Sequence, residues 1–338
     1  LSKQSSLLVN ASPSFYNRQM IEFAKLLTDI SCFDRVFFTS TGAEANEGAV
    51  KLARKYGSGS LGGAWEIITT INSFHGRTLA MMSATGKKHW EDLFKPKLPG
   101  FVHVPFNDID AAEAAVNENT CAIMIEPVQG EGGVNLADEK YIEGLRRLCD
   151  EKGILLIFDE VQTGIGRTGE MFAYQHYGIE PDIMTLAKGI GGGFPLSAML
   201  AKERLNIFDP GDQGGTYTGT PLAMAVGMAV VREVLERDLP GRAAIMGEYI
   251  IERLKGMSEK YPLRNIRGKG LLTAFDLPDP IGEKIVSACL DEGLIINSPR
   301  PSAIRLMPPL IVMKQHVDEM IDILSRVLDR IYPGDRQS

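Results

Sequence analysis

The sequence predicts an α/β protein with a mostly parallel, seven-stranded sheet covered by helices on both faces, followed by a smaller α+β C-terminal domain. Between residues 36 and 202, short β-rich runs alternate with helical or loop stretches, which is typical of a parallel sheet. Several of these runs are apolar without alternation, so both of their faces are buried. Beyond residue 240 the order of elements changes, after a Pro-Gly pair that interrupts a helical pattern.

Seven β-rich runs define the predicted sheet of the large domain. The runs Ile123–Ile125 and Leu155–Phe158 are continuously apolar, which marks their strands as central. The predicted strands are Val36–Thr39, Trp65–Ile71, Phe101–Pro105, Cys121–Glu126, Ile154–Val161, Ile183–Leu186 and Ser197–Ala201.

Helical periodicity places one helix at Ala43–Tyr56 and a long one at Leu222–Leu239, which Pro240 and Gly241 end. We therefore predict a large domain over residues 1–239 and a small one over residues 240–338. The elements predicted for the small domain are Arg264–Leu277, Leu294–Asn297, Ala303–Leu306 and an amphipathic last helix, His316–Ile331.

Composition excludes several classes of protein. The 338 residues are 44% hydrophobic and 23% charged, as in soluble globular proteins. A net charge of -7 without basic runs argues against a nucleic-acid partner. No apolar stretch approaches the roughly 18 residues that cross a bilayer, so no membrane partner is expected.

Cysteine and histidine spacing excludes disulfide and metal frameworks. The four cysteines form no CxxC pair, which favours reduced thiols in a cytoplasmic protein. The five histidines show no HxH or HxxxH spacing, so we predict no metal site.

Charged residues end two predicted strands of the large domain. Asp159 and Glu160 follow a buried strand, at the edge where α/β sheets bind ligands. Lys188 ends another strand and precedes several glycines, which would let a bulky group approach the backbone. A lysine there is costly unless its amine is neutralised, paired or covalently used. Ordinary solvated side chains remain the alternative.

Two further segments offer ligand contacts. Thr41, Gly42 and Ala43 lie between a strand and a helix start, where free backbone N–H groups and the helix dipole bind phosphate. Phe74 and Arg77, on either side of His75 and Gly76, add an aromatic ring and a guanidinium. For Phe74 and His75, core or loop packing is the alternative.

Two glycine-rich stretches, Gly57–Gly62 and Gly164–Gly169, match the GxGxxG pattern of dinucleotide-binding loops. The first follows a helix, and the second does not lead into a long helix. Both are therefore weak indications of a nicotinamide site.

Residues 158–169, FDEVQTGIGRTG, followed by Ala187-Lys188-Gly189, form a highly specific pair of motifs. With the other segments in order, the chain resembles class III aminotransferases of the fold-type-I pyridoxal 5'-phosphate (PLP) family over essentially its whole length. The resemblance implies that Lys188 forms a Schiff base with PLP and moves a proton between substrate and cofactor. It also implies that Asp159 pairs with the pyridine nitrogen and keeps it protonated.

The resemblance implies further cofactor contacts. Gln162 would contact the ring hydroxyl, Val161 and Phe74 the two ring faces, and Thr41, Gly42 and Ala43 the phosphate. Thr216 matches a threonine that reaches the phosphate of the neighbouring subunit, which implies a homodimer with active sites at the subunit interface. The family usually has Gly in place of Thr218 and Asn in place of Thr220.

Substrate binding is also implied by the resemblance. Arg77 would bind the distal carboxylate of the donor, and Arg305 the α-carboxylate of glutamate or 2-oxoglutarate. Glu131 would cover Arg305 when the reacting carbon carries no carboxylate, unless the two form an ordinary surface ion pair. Tyr16, in Phe15-Tyr16-Asn17, is a further candidate because this segment also occurs in ornithine-type enzymes.

Residues 74–80 and 100–108 most resemble those of N-acetylornithine aminotransferases of arginine biosynthesis. Ornithine and 4-aminobutyrate aminotransferases are close alternatives. More remote ones are a PLP-dependent aminomutase or decarboxylase, a nicotinamide-dependent oxidoreductase and a non-catalytic PLP-binding module.

The sequence begins at Leu1, whereas family members have some tens of residues before the matching position. Those residues supply part of the small domain and of the substrate pocket. We therefore expect this sequence to be part of a longer protein, and the alternative is a truncated, inactive form.

Overall fold

The computed structural model describes residues 1–332. The strands are β1 Arg35–Thr39, β2 Glu66–Thr70, β3 Phe101–Val104, β4 Thr120–Ile125, β5 Val128–Gln129, β6 Asn135–Leu136, β7 Leu155–Asp159, β8 Ile183–Leu186, β9 Ser197–Ala201, β10 Arg264–Lys269, β11 Leu272–Asp276, β12 Asn297–Arg300 and β13 Ala303–Leu306. The α-helices are α1 Ser2–Ser5, α2 Arg18–Asp29, α3 Gly42–Ser60, α4 Leu79–Ala84, α5 Ile109–Ala115, α6 Glu139–Lys152, α7 Pro221–Glu236, α8 Leu239–Ser258, α9 Gly282–Asp291 and α10 Lys314–Ile331. Short 3-10 helices cover Lys88–Trp90, Ala173–Tyr177, Lys188–Gly191 and Glu203–Leu205.

The central sheet has seven strands in the order β1-β9-β8-β7-β4-β2-β3. Strands β8, β7, β4, β2 and β3 run parallel, and β9 is antiparallel to both of its neighbours. Every residue of β4, β7, β8 and β9 is buried. Because successive side chains of a strand point to opposite faces, both faces of the sheet are covered. The predicted fold class is confirmed, and the seven β-rich runs are its seven strands.

The parallel strands bring their carboxyl ends to one edge of the sheet. In the register of β7 and β8, Asp159 lies opposite Thr185, and in that of β4 and β7, Ile125 lies opposite Phe158. The residues that follow these strands, Glu126 and Lys188 among them, therefore project from the same edge as Asp159.

The residues group into two compact units. The first consists of Leu1–Pro127, Ala137–Ile165 and Phe172–Arg237. The second consists of Val128–Leu136, Gly166–Met171 and the described residues from Asp238 onward. The segment that contains β5 and β6 belongs to the second unit because Val128 and Val134 pack on Leu272 and Ala274. No pattern in the sequence predicted that residues 128–136 and 166–171 belong to the second unit.

The second unit is an α+β domain, as predicted. Its antiparallel sheet has the order β10-β11-β13-β12, and α8, α9 and α10 share an apolar core with it. The predicted run Leu294–Asn297 is not a strand, since β12 begins only at Asn297 and Ile295 is 84% exposed. Because β12 is an edge strand, it tolerates Pro299: the missing N–H does not interrupt the hydrogen bonds between central strands.

The helix predicted to end at Leu239 ends instead at Glu236. Asp238, at φ +44°, caps the next helix by accepting a hydrogen bond from the backbone N–H of Gly241. Pro240 thus lies in the first turn of α8 rather than ending α7, because the first helical turn does not need its missing N–H.

Candidate active site

Asp159 lies at the end of β7 and is 3% exposed. Its Oδ2 accepts a hydrogen bond from Nδ2 of Asn46 at 2.7 Å and lies 2.8 Å from Nδ1 of His75. Its Oδ1 accepts the backbone N–H of Val161 at 3.0 Å. Three hydrogen-bond partners therefore fix the orientation of this buried carboxylate.

Asn46, on α3, is itself held in one orientation. The hydroxyl of Thr185 donates to its side-chain oxygen at 2.6 Å, so its amide nitrogen must face the other way. That nitrogen donates to Asp159 and to the backbone carbonyl of His75, each at 2.7 Å. Asn46 is not among the predicted site residues, although its spacing from Ala49, Val50 and Ala53 places it on the buried side of the helix.

His75 is buried beside Asp159, and its Nε2 has no hydrogen-bond partner within residues 1–332. Burial disfavours the charged imidazolium. The hydrogen bond to Asp159 and the charges of Asp159 and Glu126 outweigh this effect, so the pKa of His75 is raised. Packing was the expected alternative for His75, and the structure adds a bond to the acid.

Glu126, directly after β4, is a second buried acid that sequence analysis left unassigned. Its Oε2 accepts the backbone N–H of Phe74 at 2.9 Å and so holds the segment that carries Phe74 and His75. Burial raises the pKa of Glu126 to about 7, although the charge of His75 opposes the shift. The strand-end rule that selects Asp159 also applies to Glu126, so this residue could have been found.

A cavity of 660 Å³ opens above Asp159 in the first unit. Its wall contains eight of the predicted site residues: Thr41, Gly42, Ala43, Phe74, Arg77, Asp159, Val161 and Lys188. Lys188 begins a 3-10 turn with φ +47°, an uncommon backbone conformation for a residue with a side chain. The exposed side chain of Lys188 and the buried carboxylate of Asp159 therefore line one space.

The N-terminus of α3 forms another part of this wall. A capping box joins Thr41 and Glu44, and the Glu44 carboxylate accepts the backbone N–H groups of Ser40 and Thr41, both at 2.9 Å. The hydroxyl of Thr41 takes part in this cap, so the first-turn N–H groups of Gly42 and Ala43 are better placed to bind an anion. A Cβ atom on Gly42 would lie 3.0 Å from both methyl groups of Val161, which explains the glycine.

Arg77 lies at the exposed rim of the cavity. Its guanidinium carbon is 5.7 Å from the ring centroids of both Phe74 and Trp90. Lys87 lies near the same two rings, at 5.0 and 5.4 Å. These cation-π contacts orient Arg77 while leaving it charged and accessible. Neither Trp90 nor Lys87 belongs to a motif that sequence analysis singled out.

Three predicted residues of the first unit lie outside the wall of this cavity. Gln162 is the half-buried neighbour of Val161. Thr216 lies in an exposed turn, and Tyr16, 86% exposed, lines a different cavity of 570 Å³ beside α2. Their roles stay predictions.

Arg305 and Glu131 form an ion pair within the second unit. Arg305 lies on β13 and is 8% exposed, and its Nη1 donates to Oε1 of Glu131 at 2.9 Å. Its Nε donates to Oδ1 of Asn297, on the neighbouring strand β12, at 3.0 Å. A buried guanidinium so placed can exchange one carboxylate for another, because it requires an anionic partner in either state.

Other ligand sites find little support in the described part of the chain. Residues 1–332 contain no cluster of three or more His, Cys, Asp or Glu that could hold a metal ion. None of their helices is long and apolar enough to cross a membrane. Most of Gly57–Gly62 lies inside α3, and only a short 3-10 helix follows Gly164–Gly169, so neither stretch precedes the long helix of a dinucleotide site.

Comparison with protein families and known sequences gives consistent matches. The family model described as aminotransferase class III matches residues 1–328. Acetylornithine aminotransferase 2 of Bordetella pertussis is 49% identical over 331 residues, which cover 97% of this chain and 84% of that protein. The acetylornithine aminotransferase of Caldanaerobacter subterraneus is 46% identical over 98% of this chain and 85% of that protein.

Solved structures give the same result. The ornithine aminotransferase of Toxoplasma gondii, with partial occupancy of PLP at its active site, has a TM-score of 0.93 and 30% identity. The match covers 98% of this chain and 80% of that chain. The acetylornithine aminotransferase of Elizabethkingia anophelis has a TM-score of 0.85 and 33% identity over 97% of this chain and 83% of that chain.

The pKa of Glu126 makes stability depend on pH. Between its ordinary value of 4.5 and its folded value of about 7, the folded protein holds a proton that the unfolded chain has released. Raising the pH through this window should therefore lower the free energy of unfolding, by about 1–3 kcal/mol. His75, whose pKa is also raised, adds a loss of the same sign at the upper end of the window.

We expect Glu126→Gln to weaken this pH dependence while keeping the bond to Phe74, as measured by urea unfolding between about pH 4.5 and pH 7.5. The dependence that remains comes largely from Glu160, another buried acid whose pKa burial raises to about 7. Glu113→Gln, at an exposed position of α5, is the matched control. The assignment fails if both variants follow the wild-type pH profile.

Proposed function

Since the chain belongs to the class III aminotransferase family, we propose that it transfers the ω-amino group of N-acetylornithine to 2-oxoglutarate, giving glutamate and an aldehyde. This family uses PLP, which is therefore the cofactor. The observation that carries the proposal is that Lys188, Asp159 and the N-terminus of α3 line one cavity. The choice of donor is supported by relatives named acetylornithine aminotransferase at 46–50% identity.

The residues of the cavity fit PLP in chemistry. Asp159 is a buried anion, suited to a protonated ring nitrogen. The amides of Gly42 and Ala43 at the start of α3 suit a phosphate. Phe74 and Val161 offer apolar surfaces for a flat ring, and Lys188 offers an amine in the same wall. Each of these assignments is a proposal about a named side chain.

When bound, PLP withdraws electrons from the substrate carbon next to the amine, so that this carbon releases a proton more readily. Nζ of Lys188 takes that proton and later delivers one to complete the amino transfer. Asn46, His75 and the Val161 N–H hold the Asp159 carboxylate in one orientation. The Asp159 carboxylate would pair with the protonated ring nitrogen and so support the electron-withdrawing chemistry that PLP would supply.

The two arginines divide the recognition of substrates. Arg77 binds the carboxylate of the donor far from its reacting amine, and meanwhile Glu131 neutralises Arg305. The α-carboxylate of glutamate or 2-oxoglutarate displaces Glu131 and binds Arg305. Each contact is a charge-assisted bond worth roughly 1.5–3 kcal/mol.

A donor panel tests the proposal. With 2-oxoglutarate as acceptor, we expect glutamate to form fastest from N-acetylornithine and more slowly from ornithine and 4-aminobutyrate. Ornithine is the second candidate because the fold matches an ornithine aminotransferase with a TM-score of 0.93. Lys188→Ala should remove at least about 99.9% of the activity, since it removes the group that transfers the proton. Full turnover in that variant, or no glutamate from any donor, would refute the function.

Variants of the two arginines test the division of roles. Arg77→Ala should raise KM for N-acetylornithine by about 10–100-fold, because it removes a charge-assisted contact. Arg305→Ala should instead impair the half-reaction with glutamate and largely spare the donor half-reaction. Single-turnover measurements separate the two halves. Equal losses in both half-reactions would contradict the assignment.

We also propose a homodimer in which Thr216 serves the phosphate site of the neighbouring subunit. The exposed position of Thr216, outside the wall of its own cavity, supports this proposal. The remainder of the phosphate site would come from α3 of the partner.

Mixed dimers of Lys188→Ala and Thr216→Ala subunits test this exchange. A mixed dimer would contain one complete site, built from Lys188 of one subunit and Thr216 of the other. Random mixing of equal amounts should therefore restore about a quarter of wild-type activity, by symmetry and mass action. No recovery above the Thr216→Ala level, or full activity of Thr216→Ala alone, would contradict the exchange.

A further inference from the structure

Two arginines hold the backbone of the loop that carries Glu131. Nε of Arg267 lies 3.1 Å from the carbonyl oxygens of both Gly133 and Val134 and donates to them, and its Nη2 also donates to Gly133. Nη1 of Arg300 donates to the carbonyl of Gly132 at 3.3 Å. Three consecutive carbonyl groups directly after Glu131 are thus bound by guanidinium groups of the second unit. We refer to residues 130–134 as the glutamate loop.

The register of the small sheet explains this arrangement. Arg267 of β10 lies opposite Ala274 of β11, Ala274 lies opposite Arg305 of β13, and Arg305 lies opposite Asn297 of β12. Directly opposed residues project from the same face of a sheet. Arg267 and Arg305 therefore project from the same face of the sheet, where Arg267 binds the backbone of the glutamate loop and Arg305 binds the side chain of Glu131.

The backbone of the glutamate loop adopts uncommon conformations. Val134 has φ +61°, which is a genuine outlier for a β-branched residue, and Gly133 has φ +111°. Val134 is fully buried against Leu272 and Ala274. Strained conformations of this kind persist only where the surrounding structure fixes them. The carbonyl contacts of Arg267 and the apolar contacts of Val134 act together in this way.

We propose that Arg267, assisted by Arg300, fixes the backbone beneath Glu131, so that only the glutamate side chain moves when a substrate carboxylate takes its place on Arg305. This inference rests on the proposed function and makes Arg267 a positioning residue. A fixed backbone returns the Glu131 carboxylate to Arg305 at little entropic cost, because few torsions need to be restored. Arg267 thereby sets the balance between N-acetylornithine, which requires the closed pair, and glutamate, which requires the open one.

Two variants distinguish the hydrogen bonds of Arg267 to the glutamate loop from its ion pair with Asp276. Arg267 also pairs with Asp276, with Nη2 2.9 Å from Oδ1. Arg267→Lys keeps a charge beside Asp276 but loses the planar fork that reaches two carbonyls. Asp276→Asn removes the ion pair and keeps the carbonyl contacts. Only Arg267→Lys should alter substrate preference.

The measured quantity is the ratio of kcat/KM for the N-acetylornithine half-reaction to that for the glutamate half-reaction. In Arg267→Lys we expect this ratio to fall roughly tenfold, mainly through a lower KM for glutamate, because the closed pair is less populated. Asp276→Asn should keep the wild-type ratio. An unchanged ratio in Arg267→Lys would overturn the proposal.

A double-mutant cycle shows whether Arg267 acts through Glu131. In a Glu131→Gln background, Arg267→Lys should change the ratio no further, because the charge that it positions is gone. A second tenfold fall in that background would mean a general structural role and would overturn the proposal. Should Arg267→Lys fail to fold, Arg300→Ala, at an exposed position, should give a smaller change of the same sign.

Hydrogen exchange tests, without substrate, whether Arg267 and Arg300 hold the backbone of the glutamate loop. The amides of the glutamate loop should exchange faster in Arg267→Lys and Arg300→Ala than in the wild type or Asp276→Asn. Equal exchange in all four proteins would overturn the proposal. A wild type that transfers no amino group would refute the proposed function, whereas one that runs both half-reactions with an unchanged ratio in Arg267→Lys refutes only this inference.

Discussion

The buried carboxylate of Asp159 connects several elements of the first unit. The carboxylate of Asp159 is stable inside the protein because Asn46, His75 and the Val161 N–H all donate to it. These donors come from a helix, from the loop after β2 and from the chain directly after β7. Asp159 therefore joins three parts of the fold, and any displacement of one of them changes the environment of the acid.

The two arginines assigned to substrates differ in surroundings. Arg77 is exposed and lies beside aromatic rings, so it keeps its charge without needing an anion. Arg305 is buried and pairs with Glu131. A buried guanidinium without a partner is strongly unfavourable, so an acid must replace any substrate carboxylate that leaves. The exposed Arg77 has no such requirement, which fits the proposal that only Arg305 needs an acid that can give way to a substrate.

The sheet could be predicted from the sequence because continuous apolar runs such as Leu155–Phe158 identify strands that are buried on both faces. Strand ends then located Asp159 and Lys188. The same rule applies to Glu126, which ends the predicted strand Cys121–Glu126. Asn46 was harder to identify, since its partners Thr185 and His75 are distant in sequence and only the fold brings them together. The hydrogen bonds of Arg267 to the glutamate loop depend on the pairing of β10 with β11 and of β11 with β13, which no local sequence pattern encodes.

Helix α3 contributes both the amides of its first turn and the side chain of Asn46, four residues beyond Gly42. An α-helix rises about 1.5 Å per residue, so these two groups are separated by roughly 6 Å along the axis. Helix α3 thus fixes the distance between the proposed anion site at its first turn and Asn46, which binds Asp159. Because the first-turn amides and Asn46 belong to one rigid helix, thermal motion of α3 shifts them together and leaves their separation constant. Under the proposed function, this constant spacing would favour a flat ligand whose phosphate and basic ring nitrogen match it in length as well as in charge.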